Sequence, residues 1–440
     1  MSSTATTNPT PAFPPSTELP PTPEPRTLVL CFDGTAAEYN EYDTNVVKLF
    51  GLLVKDDFRT QLCYYQSGIG TYFDPSIVSP VFEWVAKRLD QAVAFYLNQH
   101  VMDGYRFLMQ NYHTGDKICL FGFSRGAYTA RALAGMLHKV GLLPRSNSQQ
   151  VPFAYKMYQK TSASGIKLAE GYKKMFCQDV KIDFLGCWET VASVGVLMGR
   201  TLPFTAINSS IKTFRHALAL DEHRVRFQPY LIEPKPSPDD TDPYPHTDVL
   251  EVWFAGTHGD IGGGDEQDSV ERSLADIGLR WMIRQLVAAE CGIRFDADAL
   301  ARAQITLEDC PPSVPVKGDG SPIFSVDNDH PIESVDAVQL LHDALKFVGP
   351  GAGGGSGNGP VAAFSVALGW GVLEVAPMPW SVQDVSGKWH TTFGVHLGKG
   401  RKIIDPSPNF HITVKERMQD GMLNYKPRAI WTKGTEVYVD

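Results

Sequence analysis

Long apolar runs, paired cysteines and a surplus of basic charge are all missing from this 440-residue sequence. No stretch approaches the ~18 consecutive apolar residues that a membrane-spanning helix needs, so none is expected. The seven cysteines are scattered, odd in number and never spaced as C-x-x-C. That pattern argues against a disulfide scaffold or a zinc ribbon and fits a reducing compartment. The net charge is −9 and the pI about 5.8. Nucleic-acid binders concentrate basic charge, so no nucleic-acid partner is expected. Residues 1–25 hold eight prolines and six threonines but no Lys or Arg. With neither a basic n-region nor an apolar h-region, no secretory leader is predicted, and a cytoplasmic location is expected. Residues 1–26 are read as a disordered Pro/Thr-rich tail, having little to bury. What is present is 43% hydrophobic and 20% charged residues, ample for a large core.

Short apolar runs at 27–33 (TLVLCFD), 61–67 (QLCYYQS), 117–121 (KICLF), 180–187 (VKIDFLGC) and 249–255 (VLEVWFA) read as buried parallel strands. Helical spacing separates them. Val85, Leu89, Val93 and Tyr96 form one apolar stripe, which Val101, Tyr105, Leu108 and Tyr112 continue past Gly104. Leu274, Ile277, Trp281, Met282 and Leu286 form another. The segment 214–227 (FRHALALDEHRVRF), with His216 and His223, is read as helical. The alternation predicts an α/β-hydrolase-like fold, a mostly parallel sheet with helices on both faces. Its core is expected over 27–290 of a domain spanning 27–440, and the extension 291–440 carries a Gly-rich loop at 349–360. Residues 145–178 interrupt the pattern with five lysines (Lys156, Lys160, Lys167, Lys173, Lys174) against Glu170, interleaved with aromatics. They are read either as an inserted helical cap over Ser124 in peripheral contact with an anionic membrane, or as surface helices with a packed aromatic face.

In parallel sheets the ligand sits beyond the carboxyl ends of the strands. Four such ends are polar and Gly-rich: 33–35 (DGT), 122–126 (GFSRG), 188–190 (WET) and 258–260 (HGD). The 122–126 motif fits G-x-S-x-G in its required context, strand before and helix after. Ser124 is therefore the candidate nucleophile, with the backbone N–H of Arg125 aimed at an oxyanion. A serine needs a base, and His258 stands at a later strand end, in the expected chain order. The base needs an acid. Glu189 exits the strand between them and is favoured, Asp260 could orient His258 locally, and Asp221 is a third choice. Asp33, Gly34 and Thr35 end the first strand, where this fold draws its second oxyanion donor, with Thr44 and Asn45 as buttresses.

Together, 32–35 (FDGT), 44–46 (TNV), 122–131 (GFSRGAYTAR), 216–224 (HALALDEHR) and 253–264 (WFAGTHGDIGGG) resemble the α/β-hydrolase family that contains the phospholipase effectors of bacterial type VI secretion. The resemblance is weaker through 370–377, 400–403 and 411–417. It implies an ester or phospholipid substrate, Ser124 as nucleophile and His258 as base. Glu189 stands where the family's W-D-T-V stretch would carry Asp. No cofactor and no metal are expected. Two other readings stay open: a metal-dependent phosphatase or phosphodiesterase using Asp33, His258 and Asp260, and a non-catalytic binding module on a hydrolase scaffold.

Overall fold

The computed structural model describes residues 25–34, 39–68, 82–191, 202–206, 208–232, 247–307, 331–343, 345, 374–375, 377–384 and 389–440. Thr35, the loop 233–246 and the Gly-rich stretch 349–360 lie outside the described residues.

Eight parallel strands form the central sheet: β1 (Thr27–Phe32), β2 (Gln61–Gln66), β3 (Lys117–Phe123), β4 (Ile182–Trp188), β5 (Ile211–Ala219), β6 (Asp248–Phe254), β9 (Asn409–His411) and β10 (Val437–Val439). A separate antiparallel hairpin pairs β7 (Met378–Gln383) with β8 (Trp389–Gly394). The sheet order is β10-β9-β6-β5-β4-β3-β1-β2. The winding direction reverses at β1, so the crevice between the ends of β1 and β3 is the switch point where such sheets bind ligands. The last two strands show that residues after 400 complete the sheet beside β6.

Side-chain alternation along β1 assigns the two layers. Leu28, Leu30 and Phe32 pack toward α2 (Phe82–Asn111) and α3 (Arg125–Val140), while Val29 and Cys31 face the opposite cluster. That second layer holds α1 (Asn45–Leu52), α7 (Leu274–Ala288) and α8 (Ala297–Arg302). Gly104, which weakens α2 by propensity, is the site of closest approach. A Cβ there would stand 2.8 Å from the Phe32 ring. Cys31, Cys63, Cys119, Cys177, Cys187 and Cys291 are unpaired. Among the described residues, no helix is long and apolar enough to cross a membrane.

One expectation is corrected. The segment holding His216 is not helical. It is β5, buried along almost its whole length at the middle of the sheet. Burial on both faces removes the polar alternation that marks a strand. Its polar side chains are satisfied internally. Arg215 pairs with Asp248 and Gln285, and His216 accepts the Thr190 N–H (3.0 Å) and meets Glu251 (2.8 Å).

The segment 145–178 folds as the expected helices, α4 (Val151–Gln159) and α5 (Ala163–Phe176), which are hydrogen-bonded to the C-terminal part of α3. Lys139 donates to the Tyr158 carbonyl (2.8 Å), Lys173 to that of His138 (2.9 Å), and Leu142 pairs with Gln178. At 1.5 Å per residue these anchors lie about 20 Å along α3 from Ser124. Tyr155, Tyr158 and Tyr172 are buried while Phe153 and Phe176 stay exposed, so the aromatics of the segment divide between packing and surface.

Arg131 braces this layer. It is 1% exposed and donates to the carbonyls of Thr205 (2.6 Å), Tyr230 (2.6 Å), Ala206 (3.3 Å) and Leu231 (3.4 Å), with its guanidinium 4.3 Å from the Tyr230 ring centre. Arg131→Met leaves buried carbonyls without donors, at roughly 1–3 kcal/mol for each group left unsatisfied. A loss of about 3 kcal/mol or more is expected in urea unfolding; an unchanged midpoint would contradict the bracing role.

Candidate active site

The turn after β3 is forced by close approach. A Cβ on Gly122 would stand 2.5 Å from the Ala127 nitrogen, and one on Gly126 only 2.2 Å from the Phe32 carbonyl oxygen. Between them Ser124 adopts φ 56° and ψ −121°, a conformation that L-residues rarely occupy. Such strain costs of order 1–3 kcal/mol and persists only where the surroundings impose it. Ser124 occupies the N-cap position of α3, yet its side chain makes no capping hydrogen bond. Its backbone N–H donates to the Trp188 carbonyl (3.0 Å), tying the elbow to the end of β4.

His258 opens the short helix α6 (His258–Gly262) after β6. Its ring packs against Phe123 (centroids 4.7 Å apart) and Phe227 (4.8 Å). Phe123 is the residue before Ser124, so the imidazole stands beside the elbow. Its Nδ1 is 3.1 Å from Glu189 Oε2, and its backbone N–H donates to Glu222 Oε2 (3.3 Å). With Nδ1–H donated to Glu189, Nε2 is the basic nitrogen.

Glu189 follows β4 directly at φ 49° and is fully buried. Its Oε1 accepts from the Ala219 N–H (2.6 Å) and Arg401 Nη1 (2.8 Å), and its Oε2 from Arg401 Nη2 (2.8 Å). Burial works to raise the carboxyl's pKa. The Arg401 charge and the hydrogen bonds from His258 and Arg401 outweigh it and bring it down to about 2.

Asp260 is engaged elsewhere. Its Oδ2 accepts from the Thr257 N–H (2.8 Å), closing a capping box on α6, and its Oδ1 lies 2.6 Å from His342 Nδ1. Burial disfavours the charged His342 ring, but Asp260, Asp265 and Glu266 together raise it to about 9. Asp221 likewise receives the Gly256 N–H, the Tyr425 hydroxyl and the Arg428 N–H. Of the three acids considered, Glu189 is the one brought to His258 Nδ1.

Asp33 is buried at the end of β1, and its carboxylate accepts from Tyr65 (2.7 Å), Thr44 (2.7 Å) and the Gly34 N–H (2.7 Å). Burial raises its pKa against those hydrogen bonds. The Gly34 N–H is thus occupied by its own neighbour. Thr44 also caps α1, and Asn45 donates to the carbonyls of Ile261 and Ala275, joining the β1 loop to the histidine loop. The N–H groups of Arg125 and Gly126 begin α3 and have no acceptor within the helix. The Arg125 guanidinium is pushed down to about 10 by burial.

Asp33, His258 and Asp260 do not converge as a ligand set, since each faces a different partner. Glu333, His411 and Asp440 do cluster, but Arg284 already binds Glu333 (2.6 Å) and Asp440 (2.9 Å). Sequence reasoning missed Tyr65, Glu222, His342 and Arg401. Tyr65 is discoverable from its place near the end of a neighbouring strand. Arg401 lies 212 residues from its partner, and the weak resemblance of its stretch 400–403 assigned it no role.

Residues 26–285 match the family described as the type VI secretion phospholipase effector Tle1-like catalytic domain. A Saccharomyces cerevisiae protein, YEL023C, is 38% identical over 226 residues, which is 48% of this chain and 33% of that protein. The chain therefore spans about a third of that relative's length. A solved Pseudomonas aeruginosa protein is 18% identical, covering 64% of this chain and 49% of its own, with a TM-score of 0.35. The Tle1 effector bound to the VgrG spike is 23% identical, covering 55% and 52%, with a TM-score of 0.27. The match runs over more than half of the sequence and takes in the elbow, Glu189 and His258, and the chain belongs to the family of Tle1-like phospholipase effector catalytic domains.

Proposed function

We propose that the protein is a serine hydrolase that cleaves carboxylic esters, specifically lipid or phospholipid acyl esters, through an acyl-enzyme on Ser124. Glu189 fixes the tautomer of His258, whose Nε2 takes the proton from Ser124 Oγ as that oxygen attacks the ester carbonyl. The developing oxyanion is met by the Arg125 N–H at the start of α3, where the helix dipole also favours negative charge. His258 returns the proton to the leaving alcohol, and water repeats the sequence to release the acid.

The observation that carries this reading is the backbone of Ser124, a non-glycine held at φ 56° between two glycines with no room for a Cβ. Nothing in the packing of an ordinary βα turn calls for that cost, and the hydroxyl does not cap the helix. Membership of a phospholipase effector family supports a lipid ester as substrate. Peripheral contact with a lipid surface belongs to the same reading, supported by Leu168, Met175 and Phe176 exposed on α5 with Lys167 and Lys174.

Ser124→Ala should lower turnover of a short acyl ester by at least ~10³-fold with little change in folding. Activity within tenfold of the parent would sink the serine-hydrolase reading. Glu189→Gln should lower kcat by ~10²-fold or more, whereas Asp260→Asn, whose partner is His342, should cost less; the reverse ranking on one substrate would move the role to Asp260. Acid stability gives a third check. The Glu189 pKa is lowered from 4.5 to about 2, so its contribution is complete above 4.5 and is lost as the pH falls through about 2. Glu189→Gln should flatten the stability curve in that window, as followed by circular dichroism. An equally steep curve would show that the carboxylate is not held in this way.

A further inference from the structure

Arg401 lies outside the matched family region, and its side chain is 1% exposed. Its guanidinium meets Glu189 through two parallel contacts of 2.8 Å, the bidentate geometry that fixes a carboxylate's plane as well as its position. The guanidinium is itself anchored by the carbonyls of Ala219 (3.0 Å) and Phe227, and Phe227 is one wall of the His258 pocket. The backbone around it is pinned in turn. Ile430 donates to the Arg401 carbonyl (2.8 Å), and Ile403 donates to that of Ile430 (2.9 Å).

We propose that Arg401 is a positioning residue for acyl transfer: it locks the plane of Glu189 against His258 Nδ1 and offsets the carboxylate's charge. The inference rests on the serine-hydrolase reading above. A carboxylate with no counter-charge would strongly favour the imidazolium, and an imidazolium cannot take the serine proton. With Arg401 in place the negative charge is shared. Glu189 still orients the ring and still steadies the charge that forms during reaction, but holds it less tightly at rest.

Other charged groups around the pair are already committed. Glu222, at the His258 N–H, is bound by Arg224 (2.6 Å). Asp260 faces His342, and His216 on β5 faces Glu251. Asp265 is a further carboxylate near His258, with its own pKa raised by burial. None of them touches the Glu189 carboxylate, so Arg401 is the charge to remove.

The test compares the full chain with Arg401→Met and Arg401→Lys, measuring kcat and KM for a soluble acyl ester across pH. For Arg401→Met, the acid limb of kcat/KM should move to higher pH by about 1 unit or more, with kcat down at least ~10-fold and KM little changed. Arg401→Lys keeps the charge without the fork, and should recover most of the limb's position but not the full kcat. A loss of activity with an unmoved limb would assign Arg401 a merely structural role and overturn the proposal. The His258 ring titration, followed by NMR, reads the same shift without turnover. If the parent cleaves no ester, the hydrolase reading fails while this measurement still decides the electrostatic claim. If Arg401→Met does not fold, the neutral double variant Glu189→Gln/Arg401→Met should regain thermal stability, because the stranded carboxylate is gone. Failure to regain it would also overturn the proposal.

Discussion

A carboxylate buried without solvent is the constraint around which the carboxyl edge of this sheet is built. Ionised Glu189 would be costly there unless paired and hydrogen-bonded. The Ala219 N–H, His258 and Arg401 supply what water would, each from a different stretch of chain. Fixing that one group therefore fixes the end of β4 against the end of β5, the histidine loop after β6, and a segment that arrives more than 200 residues later. The same logic recurs beside it. Glu222 is neutralised by Arg224, Asp260 by His342 and Asp343 by Arg428, and the last two pairs again draw on residues after 330.

The elbow is the second constraint, and it is steric. β3 must turn into α3 while α3 lies almost in contact with the carbonyls at the end of β1, which leaves glycine alone at 122 and 126. That packing lifts Ser124 above the sheet at the switch point, and the Phe123 ring sets the level at which His258 stands. Geometry forced by close approach and charge forced by burial thus meet at one edge of the sheet, and the proposed acyl-transfer site draws on both.

Much of the architecture was legible because buried parallel strands leave continuous apolar runs and their polar exits stand out. The fold class, the turn that carries Ser124, and the approach of Glu189 to His258 could be read from strand order and strand ends. β5 could not, because the residues of a strand buried on both faces keep no alternation, and its alanines and leucines imitate a helix. Asp260 looked close to His258 by sequence, but residues i and i+2 of a helix do not face each other, and its carboxylate turned back to cap α6. In the 145–178 segment the composition could not say which way the aromatics point; Tyr155, Tyr158 and Tyr172 turned inward while Phe153 and Phe176 stayed at the surface. Arg401 lay in a stretch singled out only by a weak resemblance, and a basic residue in a loop carries no record of a partner so distant in sequence.

The central claim is that Ser124 is a nucleophile activated by His258. The most direct measurement is covalent labelling of the full chain by a fluorophosphonate probe, with the adduct mapped by peptide mass in the presence and absence of a chelator. The account predicts one adduct, on Ser124, unaffected by the chelator and strongly slowed by His258→Ala. No adduct on Ser124 from a preparation that still cleaves the ester, or labelling that the chelator abolishes, would contradict it.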